Sequence, residues 1–211
     1  MINKKFGVLA ACAGTIVLSL FYPIFDFLLL LFLSLSLIFL MLVGIVKIFK
    51  PTLKSYWYRI SFFIVILAFL GLLVGFIKPL PSPIPKNETS VSEYLAYMRQ
   101  TDQSDRKNIK VYFKTLVWGS SEAMKRDSIR LNKTLKLIEN DTAKLGPEDK
   151  YNAAMILQHG EKPEHYKKAH ELAAQAAKHK IQNAPWLEKA AYDRWQLSIG
   201  NEQQYGTQKK W

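Results

Sequence analysis

The chain has 211 residues, 49% of them apolar, and a formal charge of +12. Residues 1–86 hold eight bases against one acid, Asp26, whereas residues 87–211 hold the other 21 bases and 16 acids. Bases that flank apolar runs fit membrane topology and not a nucleic-acid stripe, so no nucleic acid is expected as partner, and the single cysteine, Cys12, excludes a disulfide framework.

In chain order, apolar runs at residues 6–22, 27–46 and 60–77 predict three transmembrane helices. Their lengths of about 25, 30 and 27 Å compare with a hydrocarbon core of roughly 30 Å. The break between the first two reads YPIFDF, where Pro23 and Asp26 suit a turn at a membrane surface. The second connection carries Lys47, Lys50, Lys54 and Arg59 with Tyr56-Trp57-Tyr58, the composition of a cytoplasmic interface loop, and Lys4 and Lys5 put the N-terminus on the same side. Three spans then predict an integral protein of a bacterial inner or cytoplasmic membrane, with its C-terminal domain periplasmic or extracellular. The stretch Leu9-Ala-Ala-Cys12 looks like a lipoprotein cleavage site, but only about six apolar residues precede Cys12, short of the ~7–15 of a signal core. A signal cleaved near Tyr22 would leave two spans without moving the C-terminal domain across the membrane.

Residues 79–86 lie in KPLPSPIPK, whose four prolines read as a stiff extended spacer between the anchor (1–78) and a soluble domain (87–211). That domain is punctuated as about five helices. Ser90-Val-Ser-Glu93 is a capping box for a helix to Arg106, and Ser120 or Ser121 opens one to Asn140. Gly146-Pro147 starts a helix through His159, Pro163 starts one through Lys180, and Asn183 caps a last one that stops at Gly200. Residues 107–118 alternate enough for a strand but lack a partner strand, so they read as helix or extended linker. The fold class is therefore all-α, three transmembrane helices followed by a helical bundle.

On a 3.6-residue period the apolar stripes carry polar intruders. Val91, Leu95 and Met98 lead to Asp102; Met124, Leu131, Leu135 and Ile138 share their stripe with Asp127. Tyr151, Ala154 and Met155 lead to Gln158 and His159, and Leu187, Ala190 and Ala191 lead to Arg194. Buried charge without a partner costs several kcal/mol, so these residues are expected to meet, with Asp102 and Asp127 as partners of Arg194. A structural salt-bridge network has the same appearance.

The ordered series TDQSDR (101–106), RDSIRLNKTL (126–135), LQHG (157–160), YDR (192–194) and QQYGTQ (203–208) resembles the bacterial family catalogued as domain of unknown function 6624. The family pattern runs D-Q-x-x-R, D-x-x-N or similar, Q-H, D-R and Q-x-Y-G-T-Q. Gly160, where Ala-Asp often follows Q-H, and the added spans depart from it. The resemblance implies an all-helical domain of unsettled activity with one shared site, and brings Gln103 and Arg106 into the candidate ligand-binding set.

A tail turning back at Gly206 would bring Gln203, Tyr205, Thr207 and Gln208 to that site as a lid, with Tyr205 largely buried. A catalytic reading makes His159 a general base, Asp193 or Asp127 its orienting group, and Arg194 the holder of negative charge. No nucleophile elbow or phosphate loop accompanies them, and His165, His170 and His179 read as solvated, so neither metal nor cofactor is expected. The expected partners are the lipid bilayer and a small molecule. The alternative is an interaction or sensor module that binds a peptide or protein, on helical hairpins with Tyr166, Ala169, Ala173 and Ala176 on one stripe.

Overall fold

A computed structural model describes residues 4–22, 24–52, 56–87, 90–118, 121–141 and 144–208. Pro23, Lys54 and Ser120, which the sequence assigned to a turn, a basic loop and a helix cap, lie outside the described residues. Among those residues the structure has nine helices and no strand, so the all-α class holds. The chain divides into two compact units, Met1–Leu80 with Lys107–Val117, and Pro81–Arg106 with Trp118–Trp211.

The first unit holds α1 (Lys4–Phe21), α2 (Phe25–Phe49), α3 (Tyr56–Ile77) and α5 (Ile109–Trp118). Two of these helices, α2 and α3, are long and apolar enough to cross a bilayer; α1 is apolar over a shorter stretch, Phe6–Phe21. Only 11% and 22% of the most apolar windows of α2 and α3 are buried. Core helices of a soluble protein would hide such surface, whereas bilayer helices expose it to lipid.

Gly71 and Gly75, four residues apart on α3, let its neighbours approach. A Cβ at Gly71 would stand 2.8 Å from Thr15 Cγ2 on α1, and one at Gly75 would stand 2.8 Å from Asp26 Cγ on α2. This is the small-xxx-small spacing by which apolar helices pack where lipid removes the hydrophobic drive. At the other end of α2, the Tyr58 hydroxyl donates to Val43 O at 3.2 Å, and Lys47 Nζ lies 4.9 Å over the Tyr58 ring. Residues 107–118, counted with the soluble domain in the sequence, belong here in large part: Ile109 is buried with Leu29, Ala68 and Leu72.

The second unit holds α4 (Val91–Asp105), α6 (Glu122–Asp141), α7 (Pro147–Leu157), α8 (Pro163–Lys178) and α9 (Ala184–Ser198). The Ser90 capping box forms on both sides, with Glu93 N–H donating to Ser90 Oγ and Ser90 N–H to Glu93 Oε2. Ser121 Oγ accepts from Met124 N–H at the start of α6. Asn183 makes no side-chain cap and instead takes a left-handed turn, φ +64°. Fully buried Ala153, Ala154, Ala169, Ala173, Ala190 and Ala191 bring α7, α8 and α9 close around Leu157, Leu172 and Leu187. Met124, placed on the buried stripe of α6 by periodicity, is 58% exposed, because that stripe closes only from Leu131 onward. The prolines do not stand clear as a spacer: carbonyls of Pro81, Ser82 and Pro83 accept from Arg126, Tyr97 and Thr101, and Ile84 joins the core.

Candidate functional site

The end of α7 builds the first wall of a cavity of about 630 Å³. Gln158, His159 and Gly160 close the helix with N–H bonds to Ala154 O, Ile156 O and Leu157 O. Tyr166 of α8, Arg194 and Ser198 of α9, and Thr207 and Gln208 of the tail complete the wall. Gly160 is required at the turn, since a Cβ there would stand 2.6 Å from His165 Cβ. His165 is itself buried, and its Nδ1 faces Lys162 N–H at 3.4 Å; His170 Nδ1 lies 3.1 Å from Glu188 O. The solvated reading therefore fails for both and fits only His179, which is exposed.

Arg194 does not pair with Asp102 or Asp127. Its Nη1 donates to Gln158 O at 2.6 Å, one of the open carbonyls at the negative end of α7, and its Nε donates to Gln208 Oε1 at 2.9 Å. Among the described residues no carboxylate lies within ion-pair reach of it. The carboxylates are taken by arginines that the apolar stripes did not single out. Arg126 donates twice to Asp105, at 2.6 and 3.0 Å. Arg130, with no exposed surface, binds Asp105, Asp127 (2.9 Å) and Thr101 Oγ1 (3.2 Å). Arg106 bridges Asp102 (2.7 Å) and Asp127 (3.0 Å), and the Gln103 amide adds a bond to Asp102 at 2.7 Å. Three arginines thus neutralise three aspartates, and among the described residues the charge of Arg194 has no carboxylate partner.

His159 lies between the two groups. Its Nε2 is 3.8 Å from Asp102 Oδ2, too far for a hydrogen bond. Burial first, and then the charge of Arg106, push the ring down to about 3, with Arg194 and Arg130 adding to the effect and Asp102 opposing it. The ring is therefore neutral at physiological pH, which corrects the expectation of a base poised near neutrality. It also lines a second cavity of about 410 Å³ with Asp127, Asn132 and His165. The buried Gln158 side-chain oxygen has no hydrogen-bond partner among the described residues.

Asp193 has a different task from orienting His159. Fully buried, it accepts N–H bonds from Gln204 (2.8 Å), Tyr205 (2.9 Å) and Thr207 (2.8 Å), and the Thr207 hydroxyl at 2.7 Å. Burial pushes its carboxyl up, but these four donors outweigh it and hold the group below its ordinary value. The tail does turn back, with Gly206 at φ +66° as the turn requires. Gln203 closes it, exchanging two bonds with the Gln208 backbone, and Gln208 Nε2 reaches Ala190 O. Tyr205 departs from the expected burial: it is 47% exposed, with its ring edge on Tyr192 and Lys189 Nζ 5.6 Å from its centre. Its backbone is clasped, while its ring packs by Tyr192 and Lys189 and does not line the cavity.

Of the sequence-derived residues, Gln158, His159, Arg194, Thr207 and Gln208 share the cavity wall. Asp102, Gln103, Arg106 and Asp127 form the ion network beside it, and Asp193, Gln203 and Tyr205 serve the tail. Sequence reasoning missed Tyr166, Leu197 and Ser198 in the wall and Asp105, Arg126 and Arg130 in the network. The spacing Asp102/Asp105 and Arg126/Arg130 puts each pair on one helix face, and that signal would have found the network. Among the described residues no cluster of three or more His, Cys, Asp or Glu is placed to hold a metal ion. No family model, curated protein or solved structure matches the chain.

Proposed function

We propose that this is a membrane-anchored helical protein whose second unit binds a small anion carrying further polar groups in the cavity at His159 and Arg194. The observation that carries this is the Arg194 cation, which has no carboxylate partner among the described residues and is fixed by two neutral acceptors in the wall of a 630 Å³ cavity. A guanidinium oriented in this way is suited to a carboxylate or phosphate. Binding is favoured over hydrolysis, because His159 is a poor base at about 3 and Asp193 is spent on the tail. Membership of the bacterial family 6624 is part of this proposal, supported by the ordered motifs and by the convergence of Q-H, the arginine of D-R and the terminal T-Q on one wall.

The proposed topology has three spans, a cytoplasmic N-terminus and the second unit on the periplasmic or extracellular side. It is supported by the fit of α1 to α3 at Gly71 and by exposed Phe6, Leu9 and Phe21 on α1. A reporter active only outside the cytoplasm, fused to Trp211, should give signal, and signal solely from a cytoplasmic reporter overturns the topology. A second reading, a protein- or peptide-binding module, is favoured by exposed Leu197 and Ile199 at the end of α9. The two readings separate in a thermal-shift titration of the detergent-solubilised full chain with inorganic phosphate and with citrate. Saturable stabilisation by either anion that disappears in Arg194→Gln supports the small-anion site; no saturable effect, or one equal in the variant, refutes it.

A further inference from the structure

We infer, resting on the small-anion reading, that the ligand of the second unit is a zwitterion: its carboxylate meets Arg194, an apolar stem passes His159, and a primary ammonium enters the second cavity beside Asp127 and Glu161. That cavity, of about 410 Å³, has His159 in common with the 630 Å³ cavity at Arg194. One face of α6 supplies part of its wall, since Met124, Asp127, Leu131 and Leu135 recur three or four residues apart. The turn from α7 to α8 supplies more of it with Glu161, Lys162 and His165.

The two cavities differ in sign. Among the described residues the first is lined by one cation, Arg194, and no carboxylate. The second is lined by two carboxylates, Asp127 and Glu161, and by Lys162, whose Nζ lies 3.8 Å from Glu164 Oε1. Glu161 is exposed and has no ion pair among the described residues. Asp127 takes Arg130 on one oxygen at 2.9 Å and Arg106 on the other at 3.0 Å, and 17% of its side chain stays open. A carboxylate has about four acceptor positions, so about two remain for a further donor. Both arginines also serve another aspartate, Arg106 on Asp102 and Arg130 on Asp105, so neither charge belongs to Asp127 alone. Burial, with the Asp102 charge, holds the Asp127 carboxyl above its ordinary value against the pull of the two arginines, and a further cation beside it is therefore favoured. His159 is neutral, and burial pushes His165 below its ordinary value, so neither ring opposes an ammonium.

His159 suits the junction between the two. Among the described residues no hydrogen bond fixes its ring, since Asp102 Oδ2 at 3.8 Å is beyond reach. An uncharged ring lets an alkyl stem pass without desolvating an ion, and Leu131 and Leu135 continue the apolar path into the second cavity. Charge then sets the choice of ligand. A dicarboxylate of the same length would put its second charge against Asp127 and Glu161, and a monocarboxylate would leave both unanswered, so the zwitterion is selected by attraction at one end and by repulsion of its competitor.

The test is isothermal titration calorimetry on the detergent-solubilised full chain. The probes are linear ω-amino acids from β-alanine to 6-aminohexanoate, each compared with the monocarboxylate and the dicarboxylate of the same length. At least one ω-amino acid should bind roughly fivefold or more tightly than its amine-free counterpart, the size of one ion pair partly withdrawn from water. Glu161→Gln changes an exposed position outside every helix, so the fold is kept. It should cut that ratio to within about twofold and leave the affinity of the monocarboxylate as it was. Arg194→Gln should weaken the amino acid and the monocarboxylate alike. Equal affinities with and without the amine at every length, a preference for the dicarboxylate, or an unchanged ratio in Glu161→Gln overturns the zwitterion. Monocarboxylates that still bind in an Arg194-dependent way then leave the small-anion site standing, whereas no saturable binding by these probes or by inorganic phosphate overturns both.

Discussion

Asp193→Asn tests how the tail is held. The carboxylate meets four donors at 2.7 to 2.9 Å, two at each oxygen. Asparagine keeps one acceptor and turns an NH₂ toward the other pair, so two charge-assisted bonds are lost and a donor faces donors. At about 1.5–3 kcal/mol per charge-assisted bond, the loss is about 3–6 kcal/mol. Residues 203–208 form no helix, so detaching them limits how much of this loss reaches the bundle. A 3 kcal/mol loss makes tail opening roughly 10²-fold more frequent. Hydrogen exchange at the Tyr205 and Thr207 amides should accelerate by that factor, while amides inside α8 change little. The same clasp should release in acid. The Asp193 carboxyl sits below its ordinary 3.8 in the folded protein, so its contribution is complete above that value and is lost as pH falls through the folded one. Equal protection of the Tyr205 and Thr207 amides in wild type and Asp193→Asn at pH 7 would refute the clasp.

His159 predicts a second pH dependence. Its folded value of about 3 lies below the ordinary 6.5, so only the unfolded chain takes up this proton as pH drops between them. Stability should fall over that window, by about 2 kcal/mol at pH 5, and His159→Gln should flatten the slope between pH 7.5 and 5; parallel slopes would sink the assignment. Arg130→Met should cost about 3–5 kcal/mol, because it removes a fully buried arginine that is one of the two holding each of Asp105 and Asp127. Arg194→Met should cost only about 1–2 kcal/mol, since its partners are neutral; comparable losses in chemical denaturation would contradict the difference in their surroundings. Gly75→Leu should lower the melting temperature of the anchor in detergent more than Gly44→Leu, because a Cβ at Gly75 meets Asp26 and one at Gly44 meets nothing; equal effects would argue against close packing there.

Local signals carried most of the helix boundaries. Ser90 and Glu93, Pro147 and Pro163 mark helix starts through groups within one turn, and those starts stand where the sequence puts them. Residues 107–118 were harder to read because their alternation of lysines with apolar residues has no meaning until the surface they cover is known. Ile109, Tyr112 and Phe113 turn to α2 and α3, a tertiary fact with no local trace. Gly71 and Gly75 were legible in principle from their spacing, but an apolar run read only for length hides them.

The site was legible as a set of residues and not as a set of pairs. Periodicity finds which residues leave an apolar stripe, and Asp102, Gln158, His159 and Arg194 do so. It is silent on which cation reaches which anion, because that depends on how the helices cross. Arg126 and Arg130 of α6 bond Asp105 of α4, Arg130 also bonds Asp127, and Arg106 at the end of α4 bonds Asp102 and Asp127, so the carboxylates are taken without Arg194. The consequence is functional. An Arg194 paired to Asp102 would be a structural strut with its charge cancelled, whereas an Arg194 held by the end of α7 and by Gln208 keeps its charge for whatever enters the cavity. The six-residue ion network therefore acts on the site by exclusion: it satisfies the aspartates internally and, among the described residues, leaves the Arg194 cation and the neutral His159 imidazole facing the space between α7, α9 and the tail.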